Sequence, residues 1–206
     1  MPKLIILEGP DCCGKTTLAR DLVTKLRAAY LHNTYIEKFS KTVWDYRFNR
    51  PYEMLDTPAQ YDSSVYCPYV FLYHEELLRQ AFLNLELNRH VVMDRCWLSE
   101  LVYTTCLRKV SDELLLPWIN KLTNQLTTRI IDGEHIDYSF VFCLSEKGRE
   151  IHEAQRDEAH PYTSEQWDDL YKSYQSLALA MSPRNRCFTY DLDDSDNAYD
   201  LVKQLI

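Results

Sequence analysis

Gly9-Pro10-Asp11-Cys12-Cys13-Gly14-Lys15-Thr16 matches GxxxxGK[ST] at every fixed position. The run ahead of it, Leu4-Ile5-Ile6-Leu7, is apolar and short, as a buried strand is. Behind it Leu18, Leu22 and Leu26 recur at a spacing of four, as on one face of a helix. Strand, glycine-bearing loop and helix in that order make an anion cradle. Backbone N–H groups of the loop and the helix start point at one spot, and the helix dipole adds favourable potential. A chance match in a chain of this length has odds on the order of one in a hundred, before the flanking strand and helix are counted. The expected contacts to the phosphates of ATP are Gly9, Cys12, Cys13, Gly14, Lys15, Thr16 and Thr17. Lys15 would neutralise the β- and γ-phosphates, and the Thr16 hydroxyl would ligate magnesium (Mg2+).

Working outward, Thr34 to Phe39 is expected as a second strand. Val65 to Leu87 reads as a helix, with Phe71, Leu78, Phe82 and Leu85 on one stripe. His90 to Met93 reads as a buried strand ending at Asp94-Arg95. Helices are expected over Leu98 to Leu107 and Asp112 to Ile130, and the last strands over Tyr138 to Leu144 and Cys187 to Leu192. Between those two strands lie a polar segment, 145–161, and a helix through Leu170, Tyr174 and Leu177. Strands alternating with helices imply a mostly parallel sheet covered on both faces. The expected architecture is a three-layer α/β/α P-loop fold around a five-stranded parallel sheet, as one domain over residues 1–206.

The 206 residues carry a formal net charge of −8, with 46% hydrophobic and 26% charged residues. That is a globular composition, and the acidic balance argues against a partner such as a nucleic-acid polymer or an anionic membrane. A small polyanion is still allowed, because a few converging Lys and Arg can hold it locally. Seven scattered cysteines include no CxxC pair, so neither a zinc site nor a redox motif is indicated. They read as reduced thiols of a cytoplasmic protein.

With Glu8 before it and Thr17 after it, the loop resembles that of thymidylate kinases, whose pattern carries an acidic residue at the place of Asp11. Asp94-Arg95, with Ser99 four residues on, resembles the second signature of that family. The run from Asp94 through Cys96, Trp97, Leu98, Ser99, Glu100, Leu101 and Val102 to Tyr103 is closer still to such enzymes of viral type, which would place the chain in a host cytoplasm. The resemblance implies a nucleotide kinase with a lid that moves a phosphoryl group from ATP to a deoxynucleoside monophosphate, dTMP or a related pyrimidine. It implies that Asp11 contacts the deoxyribose 3′ hydroxyl, that Arg95 binds the acceptor phosphate, and that Asp94 holds magnesium-bound water or orients Arg95. A mobile lid over 145–161 would lend an arginine, Arg156 first and Arg149 second; the alternative is a solvated charged face. Lys38 would stand in, as a point charge, for an arginine that helps to hold the acceptor phosphate. On the long helix Phe71 would stack on the base, with Glu75 one turn on. The alternative there is Phe71 in the core and Glu75 in solvent, and neighbouring registers offer Val70 with His74 or Tyr69 with Tyr73.

The nearest rival is a deoxynucleoside kinase, in which Glu37 would act as general base on a 5′ hydroxyl. Asp94 before Arg95 favours the monophosphate kinases, because nucleoside kinases resembling this chain usually carry glutamate there. A GTPase-like switch would need an NKxD-type motif, which the sequence lacks. A degenerate paralogue is disfavoured by intact Lys15, Thr16 and Arg95. The expected partners are small-molecule nucleotides, with a homodimer left open.

Overall fold

The computed structural model describes residues 1–32, 63–108, 112–154, 163–182, 186–191, 201 and 203–205. Its centre is strand β1 (Lys3–Glu8), whose Leu4, Ile5, Ile6 and Leu7 are all fully buried. Apolar side chains on both faces suit a strand covered on both sides, and each contributes about 2 kcal/mol by leaving water. A charge at Ile5 would therefore be buried at a cost on the order of several kcal/mol unless paired.

Helix α1 (Lys15–Leu26) follows the loop and buries Leu18, Ala19 and Leu22. It stops at Arg27, which takes a left-handed conformation and returns its N–H to Val23 O. Strand β2 (Ala29–His32) begins two residues later. This strand was not among the expected ones, and Thr34 to Phe39, expected as a strand, falls outside the described residues. β2 pairs in parallel with β3 (Val91–Asp94), β3 with β1, β1 with β6 (Asp137–Cys143), and β6 with β7 (Cys187–Tyr190). The resulting five-stranded sheet has the order β2-β3-β1-β6-β7. A short antiparallel pair, β4 (Ile130–Ile131) with β5 (Glu134–His135), stands apart from it.

The other helices are α2 (Ser63–Glu86), α3 (Trp97–Arg108), α4 (Asp112–Thr128), α5 (Lys147–Ala154) and α6 (Ser164–Met181). Helix α6 starts at a capping box. Thr163 Oγ1 accepts from Gln166 N at 3.2 Å, and Gln166 Oε1 accepts from Thr163 N at 2.8 Å. Its buried stripe, Trp167, Leu170, Tyr174 and Ala178, has helical spacing and faces the protein interior. No described helix is long and apolar enough to cross a membrane.

The chain leaving β1 goes to one side of the sheet, and the chain leaving β3 crosses to the other, to β6. Parallel α/β sheets bind ligands outside the carboxyl ends of their strands at such a switch. The loop after β1 and the pair Asp94-Arg95 at the end of β3 meet there.

Candidate active site

The loop after β1 is shaped by positive φ angles at Gly9 (138°), Cys12 (66°) and Gly14 (80°). Gly9 has a second constraint. A Cβ there would come within 2.2 Å of Cys143 O, so only glycine lets the loop leave the sheet against β6. Gly14 caps α1 without a side-chain bond, so the first N–H groups of that helix stay open toward an anion. Thr16 and Thr17, in the first turn, are exposed on that side. Lys15 is buried, and its Nζ donates to the loop's own carbonyl at Pro10. Burial, with Arg95 nearby, lowers its pKa. It makes no ion pair among the described residues, which leaves an ammonium in the interior waiting for negative charge.

Arg95, itself at φ 69°, is held against the loop by an almost complete set of acceptors. Its backbone N–H donates to Leu7 O at 2.9 Å. One terminal nitrogen donates to Gly9 O at 3.1 Å and to the hydroxyls of Ser99 and Tyr174, each at 3.3 Å. The other donates to Tyr103 Oη at 3.1 Å and pairs with the carboxylate of Asp11. The guanidinium also lies 5.0 Å from the centre of the Tyr103 ring. Burial works against its charge, but Tyr103, Asp11, Tyr174 and Glu8 outweigh it and raise the pKa well above the ordinary value.

Beneath Arg95 lies Glu8, fully buried. Its carboxylate accepts from Cys96 N at 2.7 Å, from Ser99 Oγ at 2.6 Å and from Tyr174 Oη at 3.4 Å. Tyr174 also bonds Ser99 Oγ at 3.0 Å. The other end of α6 touches the loop: Trp167 Nε1 donates to Asp11 O at 3.1 Å. Sequence reasoning named Tyr174 only as part of a helical pattern and passed over Trp167. Their role has no local signal, since the partners lie 79 and 156 residues away.

Asp94, last residue of β3, gathers donors on one oxygen. Thr16 Oγ1 is 3.2 Å and Tyr30 Oη 3.0 Å from Oδ2. His32 Nδ1 is at ion-pair distance, 3.4 Å, without hydrogen-bond alignment. Burial opposes the charge of Asp94, yet His32, Arg95 and Lys15 outweigh it and hold its carboxyl below the ordinary value. An ionised, buried carboxylate beside a threonine hydroxyl at a P-loop fits magnesium, which takes one or two carboxylates plus water and phosphate. No cluster of three or more metal-ligating side chains occurs among the described residues.

Phe71 and Glu75 stand apart from one another. Phe71 is buried, with its ring parallel to that of Trp118 at 5.8 Å. Glu75 instead pairs with Lys121 and Gln125 of α4, each at 2.8 Å, in an outer groove with Leu72, Glu76, Arg79 and Phe82. Arg149 is tied to Glu153 at 3.5 Å and to Asp168 of α6 at 3.2 Å. The first half of the expected lid is helix α5, whose Gly148 packs on the loop: a Cβ there would be 2.6 Å from Cys13 Sγ. Glu37, Lys38, Tyr69, Val70 and Arg156 lie outside the described residues or their described side chains.

Neither a protein-family profile nor a curated relative matches the sequence. Solved structures do match. Deoxyadenosine kinase from M. mycoides, with dCMP and a flexible dCDP bound, superposes with a TM-score of 0.63 at 15% identity, covering 97% of this chain and 96% of that one. Thymidylate kinase from Ehrlichia chaffeensis gives 0.61 at 14% identity, over 100% of this chain and 97% of that one. The YorR protein of Bacillus subtilis, in complex with phosphorylated GDP, gives 0.54 at 18% identity, over 97% and 94%. The chain has the α/β fold of the P-loop nucleotide and nucleoside kinases.

Proposed function

We propose that this protein is an ATP-dependent phosphotransferase that converts a deoxynucleoside monophosphate to the diphosphate. The observation that carries this reading is Arg95, a largely enclosed guanidinium fixed at the carboxyl edge of β3 against the P-loop. Its one described ion-pair partner is Asp11, a carboxylate on the loop itself. An acceptor phosphate would take the place of that carboxylate and free Asp11 to meet the sugar hydroxyl. The fold shared with a thymidylate kinase and a deoxyadenosine kinase supports nucleotides as the small-molecule partners.

In the reaction, an oxygen of the acceptor phosphate bonds to the γ-phosphorus of ATP while the bond to the β–γ bridging oxygen breaks and ADP leaves with that electron pair. The attacking oxygen is already ionised, so no general base is required. Lys15 would follow the charge onto the transferring group, the open N–H groups of the loop and α1 would hold the β-phosphate, and Arg95 would neutralise the acceptor. Magnesium, when bound at Thr16 and Asp94, would supply charge neutralisation of the β- and γ-phosphates. Arg156 is proposed as a further cation on the transferring group, with Lys38 beside the acceptor phosphate.

The test is coupled ADP release with every deoxynucleoside and every monophosphate as acceptor. Monophosphates should be preferred, and Arg95→Ala should lower kcat/KM for them by roughly two orders of magnitude or more. Preference for nucleosides, with activity lost in Glu37→Gln, would instead assign a nucleoside kinase.

A further inference from the structure

The Asp94 carboxylate is held from more than one element. Three groups converge on its Oδ2: the hydroxyls of Thr16 at 3.2 Å and Tyr30 at 3.0 Å, and Nδ1 of His32 at 3.4 Å. Thr16 belongs to α1, but Tyr30 and His32 both come from β2. In the parallel register His32 stands opposite Asp94. Tyr30, two residues before it, shares that face of the sheet. The rings of Tyr30 and His32 stack, 5.9 Å apart and 14° from parallel, so each limits the rotation of the other. Tyr30 is 41% exposed, yet its hydroxyl turns onto a carboxylate that is 1% exposed. A tyrosine hydroxyl is protonated at neutral pH and a carboxylate only accepts, so Tyr30 is the donor. The strand does not need this bond to keep its place, because the backbone register from Ala29 to His32 already joins β2 to β3.

The two carboxylate oxygens are thereby made unequal. Oδ2 is occupied, whereas Oδ1 accepts from no residue among those described. Thr16 is exposed, so the edge of the site beside Asp94 meets solvent. We infer that Tyr30 is a positioning residue for the metal site. Its hydroxyl, steadied by the His32 ring, pins Oδ2 and leaves Oδ1 to meet magnesium or a magnesium-bound water at Thr16. Thr16 can still donate its proton to Asp94 while its oxygen faces the metal. A carboxylate free to turn would present either oxygen, and outer partners of a metal site typically carry about ten- to a hundredfold in metal affinity. This role belongs to the ATP half of the reaction and rests on the nucleotide-kinase reading.

Calorimetric titration of the full chain with ATP, once in excess Mg2+ and once in EDTA, separates metal-dependent from metal-independent binding. Magnesium also binds free ATP, but that contribution is common to all variants. A change in the Mg2+-to-EDTA affinity ratio therefore reads the metal's affinity for the bound complex. Wild type should bind ATP roughly tenfold or more tighter in Mg2+ than in EDTA. Tyr30→Phe keeps the ring and its stack on His32 and loses only the hydroxyl. It should shrink the ratio by about fivefold or more, with affinity in EDTA, affinity for dTMP and dCMP, and the ligand-free Tm nearly unchanged. Should that variant not fold, His32→Leu removes the brace alone and should shrink the same ratio by a smaller factor. An unchanged ratio in the folded variant overturns the inference. So does equal weakening in Mg2+ and EDTA, as a merely structural role would give. A loss confined to the monophosphates also overturns it, because Asp94 would then serve Arg95 and not the metal. Equal binding of ATP by wild type in both buffers overturns it too, and leaves the P-loop reading standing. No binding of ATP in either buffer would remove the kinase reading, and the role of Tyr30 with it.

Discussion

Lys15 sits at a place that does not favour its charge. Burial, the larger cause, and Arg95 depress its pKa below that of an ordinary lysine. For a base the sign follows directly. The folded chain binds the proton more weakly than the unfolded one, so the charged side chain opposes folding at neutral pH, and the penalty fades only as pH rises toward the lysine range near 10.4. An arriving phosphate offsets it. Lys15→Met should therefore leave the ligand-free Tm equal to or above that of the wild type, while kcat falls by roughly two orders of magnitude or more. Thermal melts and ADP release read the two halves. A folded methionine variant with near-normal turnover would sink the P-loop assignment, and a large drop in Tm would show that Lys15 is a structural residue. Activity and stability pull in opposite directions at functional sites of this kind.

Helix α6 connects the two halves of the site. Trp167 and Tyr174 are seven residues apart, hence on one face two turns from each other, and one meets the P-loop while the other meets Arg95, Ser99 and Glu8. The division of labour is testable. Trp167→Phe keeps the ring contacts but removes the bond to Asp11 O, and should raise KM for ATP several-fold with the acceptor KM nearly unchanged. Tyr174→Phe removes the hydroxyl that links Arg95 to Glu8, and should act mainly on acceptor KM and kcat, by roughly tenfold for a contact of about 1–2 kcal/mol. Equal effects of both variants on both substrates would mean that α6 is only packing. This helix was visible in the sequence as a run with apolar periodicity, but not what it holds, because the contacts span the length of the chain. The reverse is true of β1, the loop and α1. There the strand, the turn residues and the helix start are contiguous, and the spacing of Gly9, Gly14, Lys15 and Thr16 encodes the cradle directly. β2 was not singled out because it is a short edge strand of the described sheet, Ala29-Tyr30-Leu31-His32, only partly buried and following α1 almost directly.

At the scale of the whole molecule, the two substrates are expected to share one crevice and one set of cations. Lys15 and Arg95 come from different elements, yet the loop joins them: Lys15 donates to Pro10 O, while Arg95 donates to Gly9 O and pairs with Asp11. A ligand that engages only one end satisfies part of this set. One that spans both, such as two nucleosides linked through their phosphates, replaces Asp11 at Arg95 and supplies the anion that Lys15 lacks. Binding to the folded state alone stabilises it by about 4 kcal/mol at a thousandfold excess over Kd. For a chain of this size each kcal/mol moves Tm by about 2–4 °C, so the linked ligand should raise Tm by roughly 8–16 °C. ATP alone at the same multiple of its own Kd gives the same shift by mass action. The informative comparison is therefore at one fixed concentration, where the linked ligand should exceed ATP and the acceptor used together. Arg95→Ala should abolish the excess and leave the ATP shift in place. A linked ligand that protects no better than ATP alone would mean that the acceptor does not bind beside Arg95, and the monophosphate reading would fall with it.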